Sequence, residues 1–190
     1  MRDEKLAFMP KMLLHVCCAN CLLYPYDLLK NDYRITFYFY NPNIYPEGEY
    51  KKRLAEVTRI SKKLKVALIA GQYDFRRWEK AVEGFADEPE GQKRCIICFK
   101  VRLKRTTLAA ENNKHDFFAT TLSVSPHKNA EIINAAGAEV SNLNKVKYFP
   151  ANFKKNDGFK KTIQMAKECN IYRQDYCGCK YSIRDAINNL

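Results

Sequence analysis

The sequence predicts an α/β domain, a single layered unit built on a mainly parallel sheet. Short β-branched or aromatic runs alternate with longer amphipathic stretches, the pattern of strand and helix units wound on one shared sheet. At 190 residues and 46% hydrophobic content the chain is long enough for one well-cored domain. A cysteine group also follows the first strand-like run directly, at the carboxyl end of a strand, where open parallel sheets hold their ligands.

Lys11 to Val16 is the first expected strand, a short apolar run entering Cys17, and a helical pattern resumes through Leu22, Leu23, Tyr26, Leu28 and Leu29. Ile35 to Tyr40 is β-branched and aromatic throughout and predicts the second strand, stopped by Asn41-Pro42-Asn43. A long charged helix is expected from Glu47 to Leu64, a third strand from Lys65 to Ala70 ended by Gly71, and a helix from Phe75 to Phe85. Asp87 to Gly91 is the clearest loop, and the next helix spans Cys95 to Asn112. Asp116 to Thr121 predicts a fourth strand, leading through Ser123 and Pro126 into a helix from His127 to Ala136. A last helix from Gly158 to Glu168 precedes Cys177. No repeat or low-complexity segment interrupts this order, so residues 1–190 are expected to form one domain, with 151–190 completing any site that Cys177 serves.

Lys and Arg outnumber Asp and Glu by 33 to 21, a formal charge of +12, and the chain carries 12 Tyr, 11 Phe and one Trp. Positive charge attracts polyanions and aromatic faces stack on unpaired bases, which favours a nucleic-acid partner, RNA in particular, over a small neutral substrate. The segments Lys93–Arg105 and Lys145–Lys161 are the candidate phosphate contacts. No run approaches the length of a membrane span. Residues 1–10 hold acidic side chains and no apolar core, so a reducing cytoplasmic location is expected.

Seven of the eight cysteines fall into three tight groups: Cys17, Cys18 and Cys21; Cys95 and Cys98; Cys177 and Cys179. In a reducing compartment such spacing points to metal or redox chemistry. A lone structural zinc uses four ligands, which leaves three thiolates over. An iron-sulfur cluster with a second thiolate-bound metal absorbs the surplus. A dithiol redox role for Cys18 and Cys21 competes, since a strand-to-helix junction lowers a thiol pKa, but Cys17 and the other groups would then be unexplained. The glycine of Cys177-Gly178-Cys179 frees the backbone so that both sulfurs can face one way. Cys169 is expected to be a packing residue.

On the helix after Cys95, Cys98, Arg102 and Arg105 share one face with it, while Ile96, Phe99, Leu103 and Ala110 form the buried stripe. These arginines could reach sulfides or phosphates, or form an ordinary solvated face. His15 sits inside a strand run and is expected to be a satisfied interior residue. Ser123, Ser125, His127, Lys128 and Asn129 form a polar loop that either binds an anionic ligand or simply caps the helix it opens.

Together, Leu13 to Cys21, Cys95-Ile96-Ile97-Cys98, Thr120 to Asn129 and Tyr172 to Cys179 closely resemble the cobalamin-independent epoxyqueuosine reductases, in order and over nearly the whole chain. Between the second and third cysteines, where that family carries alanine-proline, this chain has Ala19-Asn20. The resemblance implies a tRNA-modifying oxidoreductase that removes the epoxide oxygen of anticodon epoxyqueuosine. It also implies a 4Fe-4S cluster with a second metal, iron, beside it, and an external electron donor of unassigned identity. The implied fold is the nucleotide-hydrolase-like architecture of ATP pyrophosphatases. Cys17-Cys18 stands where their phosphate loop would be, which argues against ATP use. One division of the thiolates gives the cluster Cys95, Cys98, Cys177 and one of Cys17 or Cys18, the rest going to the second metal. His127, Lys128, Tyr38 and Tyr176 are the candidate proton donors, and Ser123, Ser125, Asn129, Arg102 and Arg105 the candidate substrate contacts. The competing readings are a zinc-stabilised RNA-binding module and a cluster-dependent tRNA thiolase.

Overall fold

The computed structural model describes residues 8–142 and 144–187. Residues 1–7, part of the stretch from which a cytoplasmic location is expected, lie outside them. Five strands, β1 (Lys11–His15), β2 (Arg34–Phe39), β3 (Leu68–Ala70), β4 (Phe117–Thr120) and β5 (Lys147–Tyr148), form one sheet of order β3-β2-β1-β4-β5. Every pairing is parallel, with Leu14 opposite both Phe37 and Ala119. Around it run α1 (Ala19–Leu29), α2 (Glu47–Leu64), α3 (Phe75–Ala81), α4 (Lys93–Asn112), α5 (Ala130–Ser141), α6 (Gly158–Glu168) and α7 (Lys180–Ile187), with a 3-10 turn at Thr121–Val124.

A strand sandwiched between helices must be apolar on both faces, and Met12 to Val16 is fully buried although it contains His15. The two-residue period divides the core. Met12, Leu14, Phe37 and Phe39 pack with Leu22 of α1, Val57 and Ile60 of α2 and Ala166 of α6. Leu13, Tyr38 and Phe118 face the other way, onto Phe99 and Leu103 of α4 and Ile133 of α5. The expected α/β class and mainly parallel sheet are what the chain forms.

Boundaries moved where local geometry intervened. Lys65 adopts a left-handed conformation (φ 56°) that closes α2, its N–H meeting the carbonyls of Ser61 and Lys62, so β3 starts at Leu68 rather than Lys65. The helix from Phe75 ends at Ala81 rather than Phe85, before Gly84 at φ 82°. Helix α5 starts at Ala130 rather than His127 and runs to Ser141 rather than Ala136; Asn129 caps it, its Oδ1 accepting the N–H groups of Glu131 (2.8 Å) and Ile132 (3.3 Å). The two residues of β5 and helix α7 had no sequence expectation.

Strands β2 and β3 lie on one side of β1 and strands β4 and β5 on the other. The chain therefore reverses its winding between β1 and β4, and their carboxyl ends open the crevice where such sheets bind ligands.

Candidate metal centre

The crevice is built from the backbone outward. Val16 donates to Tyr38 O at 2.8 Å, continuing the β1 ladder, and Cys17 N donates to Thr121 Oγ1 at 3.2 Å. The first cysteine is thus tied to the turn beyond β4. Cys18 is the N-cap of α1, and Cys21 follows in its first turn. The Sγ atoms of Cys17, Cys18 and Cys21 all lie within 4.8 Å of one another, with Cys17 and Cys18 at 3.9 Å. Two thiolates on one tetrahedral ion with bonds near 2.3 Å stand about 3.8 Å apart, so this donor set fits a single thiophilic metal with its fourth position open.

Cys17 ionises first. Thiol hydrogen bonds from Cys18 and Cys21 hold its pKa well below the ordinary value, helped by Arg102 and Thr121. Cys18 is pushed up to about 12, and Cys21 is also raised, foremost because each serves Cys17 as a partner.

The remaining thiols form a second group. Cys95 accepts the Gly91 N–H at 3.2 Å, and Cys98 packs with Cys179 in a small core around Trp78 and Val82. Burial pushes the Cys95 thiol up to about 11 and Cys98 up to about 12, with Cys177 and Cys179 adding like charge to both. All eight cysteines are free thiols. Cys169 lies apart from both groups, half-buried at the end of α6, with Lys63 Nζ 3.6 Å from its sulfur.

Arg102 stands between the groups, 2% exposed, donating to Asn41 Oδ1, while Asn41 Nδ2 donates to Val16 O at 2.9 Å. Its charge lowers the pKa of both Cys17 and Cys98. Arginine keeps its proton even when buried, so it is a fixed counter-charge for clustered thiolates. His15 is fully buried, with Nε2 3.1 Å from Tyr40 O and Nδ1 2.8 Å from Thr120 Oγ1. A carbonyl only accepts, so Nε2 carries the proton and Nδ1 accepts from the threonine. Burial, then Arg102, lower its pKa to about 3, and the imidazole is a neutral interior group, as expected.

A cleft of about 1180 Å³ opens over Cys17, Cys21 and Cys177, lined also by Arg102, Lys128 and Tyr176 among others; Cys95, Cys98 and Cys179 are not in its lining. Ser125 and His127 line it too. Lys154 fixes that loop from behind by donating to the carbonyls of Ser125 (3.4 Å) and Lys128. Burial opposes the charge of Lys128, but Cys177, Cys17, Glu90 and Cys21 around it raise its pKa.

Four sequence candidates lie elsewhere. Tyr38 is 2% exposed in the core facing α4, its ring stacked on Tyr40. Arg105 is exposed and outside the cleft lining, one turn beyond Arg102. Ser123 is fully buried, accepting Phe153 N–H, and Asn129 is the helix cap described above. Conversely, Asn20 and Arg53 had no assigned role but line the cleft. Asn20 Nδ2 donates to Tyr172 O (3.0 Å) and Gln174 Oε1 (3.2 Å), joining the first cysteine loop to the segment that carries Cys177. Only its departure from alanine-proline marked it in the sequence.

An open parallel sheet with a cluster of three thiols at its switch point, and Cys177 lining the same cleft, defines a thiolate-centred α/β protein of the doubly wound class. Within that class the chain belongs to the epoxyqueuosine reductase QueH family, whose sequence model matches residues 12–185. It is 38% identical to epoxyqueuosine reductase QueH of Streptococcus pyogenes serotype M1 over 187 residues, covering 95% of this chain and 73% of that one. To the Thermotoga maritima protein of the same name it is 38% identical over 181 residues, covering 92% and 91%. A solved structure, the U34-tRNA thiolase NcsA from Methanococcus maripaludis with its [4Fe-4S] cluster, superposes with a TM-score of 0.54 at 15% identity. The match spans 94% of this chain and 64% of the thiolase chain, and at that identity it speaks to the fold alone.

Proposed function

We propose that this chain is an epoxyqueuosine reductase acting on tRNA, one α/β domain over residues 1–190 in which segment 151–190 completes the metal site. The observation that carries the reading is that Cys17, Cys21 and Cys177, from two separate cysteine motifs, line one cleft, with Cys95 and Cys98 of the third close enough to Cys177 to feel its charge, in a chain of this family. Converting the epoxide to a cyclopentene consumes two electrons and two protons and releases one water. Thiolate-held iron supplies single electrons and, at an open position, Lewis acidity toward oxygen.

In this reading Cys95, Cys98, Cys177 and Cys179 hold a 4Fe-4S cluster, and Cys17, Cys18 and Cys21 hold a second iron. The 3.9 Å between the Cys17 and Cys18 sulfurs supports keeping both on one ion. That differs from the sequence-based division, which gave one of them to the cluster. Arg102 balances the thiolate charge. Lys128, in the cleft beside Cys17, Cys21 and Cys177, gives the proton to the departing oxygen. Tyr176 ranks behind it because its hydroxyl is already committed to Tyr45 O at 2.7 Å. Ser125 and the exposed cleft residues His127, Lys167 and Arg173 hold the anticodon loop. An external donor renews the electrons in the cytoplasm. Among the described residues no helix is long and apolar enough to cross a membrane.

The test is anaerobic: iron, zinc and acid-labile sulfide per chain, then dithionite-driven turnover of epoxyqueuosine tRNA followed by nucleoside mass spectrometry. More than four irons, about four sulfides and loss of one oxygen from the nucleoside are expected. Zinc without sulfide, and an unchanged nucleoside, would refute the reading.

A further inference from the structure

The charged residues of α2 look in the sequence like a solvated helix face. In the fold they hold the irregular segment 169–179, which runs from the end of α6 to the Cys177-Gly178-Cys179 turn. Arg59 donates to the carbonyls of Cys169 (3.3 Å) and Asn170 (3.2 Å), and Glu56 accepts the Tyr172 N–H at 3.3 Å. Lys52 Nζ lies 3.4 Å over the Tyr172 ring, and the Tyr172 hydroxyl donates to Glu49.

Arg53 stands at the head of this row and is the buried member, 3% exposed. Its Nε donates to Glu49 Oε1 at 2.6 Å, its Nη1 to Cys177 O at 3.1 Å and its Nη2 to Tyr176 O at 3.3 Å. The Tyr176 ring lies 5.0 Å from the guanidinium carbon. Two consecutive carbonyls thus point at one planar cation. That fixes the direction in which the chain enters Gly178, which turns at φ 124°. A Cβ at Gly178 would stand 2.9 Å from Arg53 Nη1, so the guanidinium closes on the turn only because position 178 has no side chain. On the far side Tyr45 N donates to Gly178 O at 2.8 Å.

We infer that Arg53 is the positioning residue of the C-terminal thiol pair: by gripping the carbonyls of Tyr176 and Cys177 it aims Cys177 and Cys179 at Cys95 and Cys98. The guanidinium serves the carboxylate from Nε and the two carbonyls from Nη1 and Nη2; an ammonium has three donors too, but on a single nitrogen, and does not reproduce that spread. The inference rests on the metal reading for what the four thiols do, but the positioning itself is a property of the chain.

The test is cysteine-resolved alkylation of the full-length chain, chelated and reduced, with iodoacetamide and peptide mass spectrometry, beside sulfide content after anaerobic reconstitution. Arg53→Lys is expected to speed alkylation of Cys177 and Cys179 about tenfold, with Cys17, Cys18 and Cys21 unchanged and bound sulfide cut by about half or more. Glu49→Gln, which weakens the carboxylate grip on Arg53 Nε and leaves the Gly178 turn itself untouched, is expected to give the same footprint at smaller size. It also carries the test if Arg53→Lys does not fold. A uniform rise across all eight cysteines would reduce Arg53 to general stabilisation and overturn the inference, as would unchanged rates at Cys177 and Cys179. Because the footprint needs no metal, it stands even if the wild-type chain is found to hold zinc without sulfide.

Discussion

Gly158 opens α6 against the backbone of the preceding turn, and a methyl group there has nowhere to go. A Cβ at this position would lie 1.9 Å from Phe153 O and 2.7 Å from the Tyr24 ring. The nearest atom is main chain, so relief requires moving α6 or the 153–157 turn by on the order of 1 Å in a close-packed region. Overpacking of this kind costs about 1–3 kcal/mol, and the intrinsic preference for alanine over glycine in a helix returns at most about 1 kcal/mol. Gly158→Ala is therefore expected to destabilise the chain by about 2 kcal/mol, lowering the urea midpoint of the metal-free protein by roughly 0.5–1 M. Gly48, in the first turn of α2, has nothing within 4 Å of its would-be Cβ. Gly48→Ala is expected to raise the midpoint by the equivalent of about 0.5–1 kcal/mol. A Gly158→Ala midpoint at or above wild type would refute the steric reasoning. Helix α6 supplies Phe159, Thr162, Ile163 and Ala166 to the cleft, so the same variant should raise KM for tRNA more than it lowers bound iron.

Other consequences are open to measurement. Cys18→Ser is expected to lose the second metal and keep sulfide, whereas Cys98→Ser loses sulfide; the same loss in both would refute the division of thiolates. Lys128→Met should lower kcat by about 10²-fold or more with KM little changed, and Tyr38→Phe, remote from the cleft, should change kcat by less than about twofold in the same dithionite-driven turnover assay. His15 has a folded pKa of about 3, below its unfolded value, so its contribution to stability is complete above pH 6.5 and is lost as pH falls from 6.5 toward 3. By pH 5 that loss is about 2 kcal/mol, measurable as a urea midpoint shift in the metal-free chain and smaller in His15→Gln. Neutralising Lys167 or Arg173 at the cleft should each flatten the salt dependence of tRNA binding by just under one unit of log-log slope, and an unchanged slope removes that residue from the interface.

Much of this was legible along the chain because the signals are local. Alternation at Met12, Leu13 and Leu14 reveals a strand buried on both faces, and cysteines within one turn of each other must share a neighbourhood. Tyr38 shows the limit: its hydroxyl qualified it chemically, but its position in the two-residue period of β2 points it into the core facing α4. Asn129 likewise had the right chemistry and serves as a cap, and β5 is too short to leave a periodic trace.

The sequence by itself determined the α/β class, the set of clustered thiols and the family. Each is written in residue type and short spacing, which survive without knowledge of the fold. Only the tertiary structure decided that the sulfurs of Cys17, Cys18 and Cys21 stand within 4.8 Å of one another, that Cys98 packs with Cys179, that Arg102 lowers the pKa of both Cys17 and Cys98, and that Arg53 holds a turn 124 residues away. A hydrogen bond to a backbone carbonyl can be met by any residue type at the accepting end, so its partner leaves no mark in the sequence. The docking of α2 against segment 169–179 chose it.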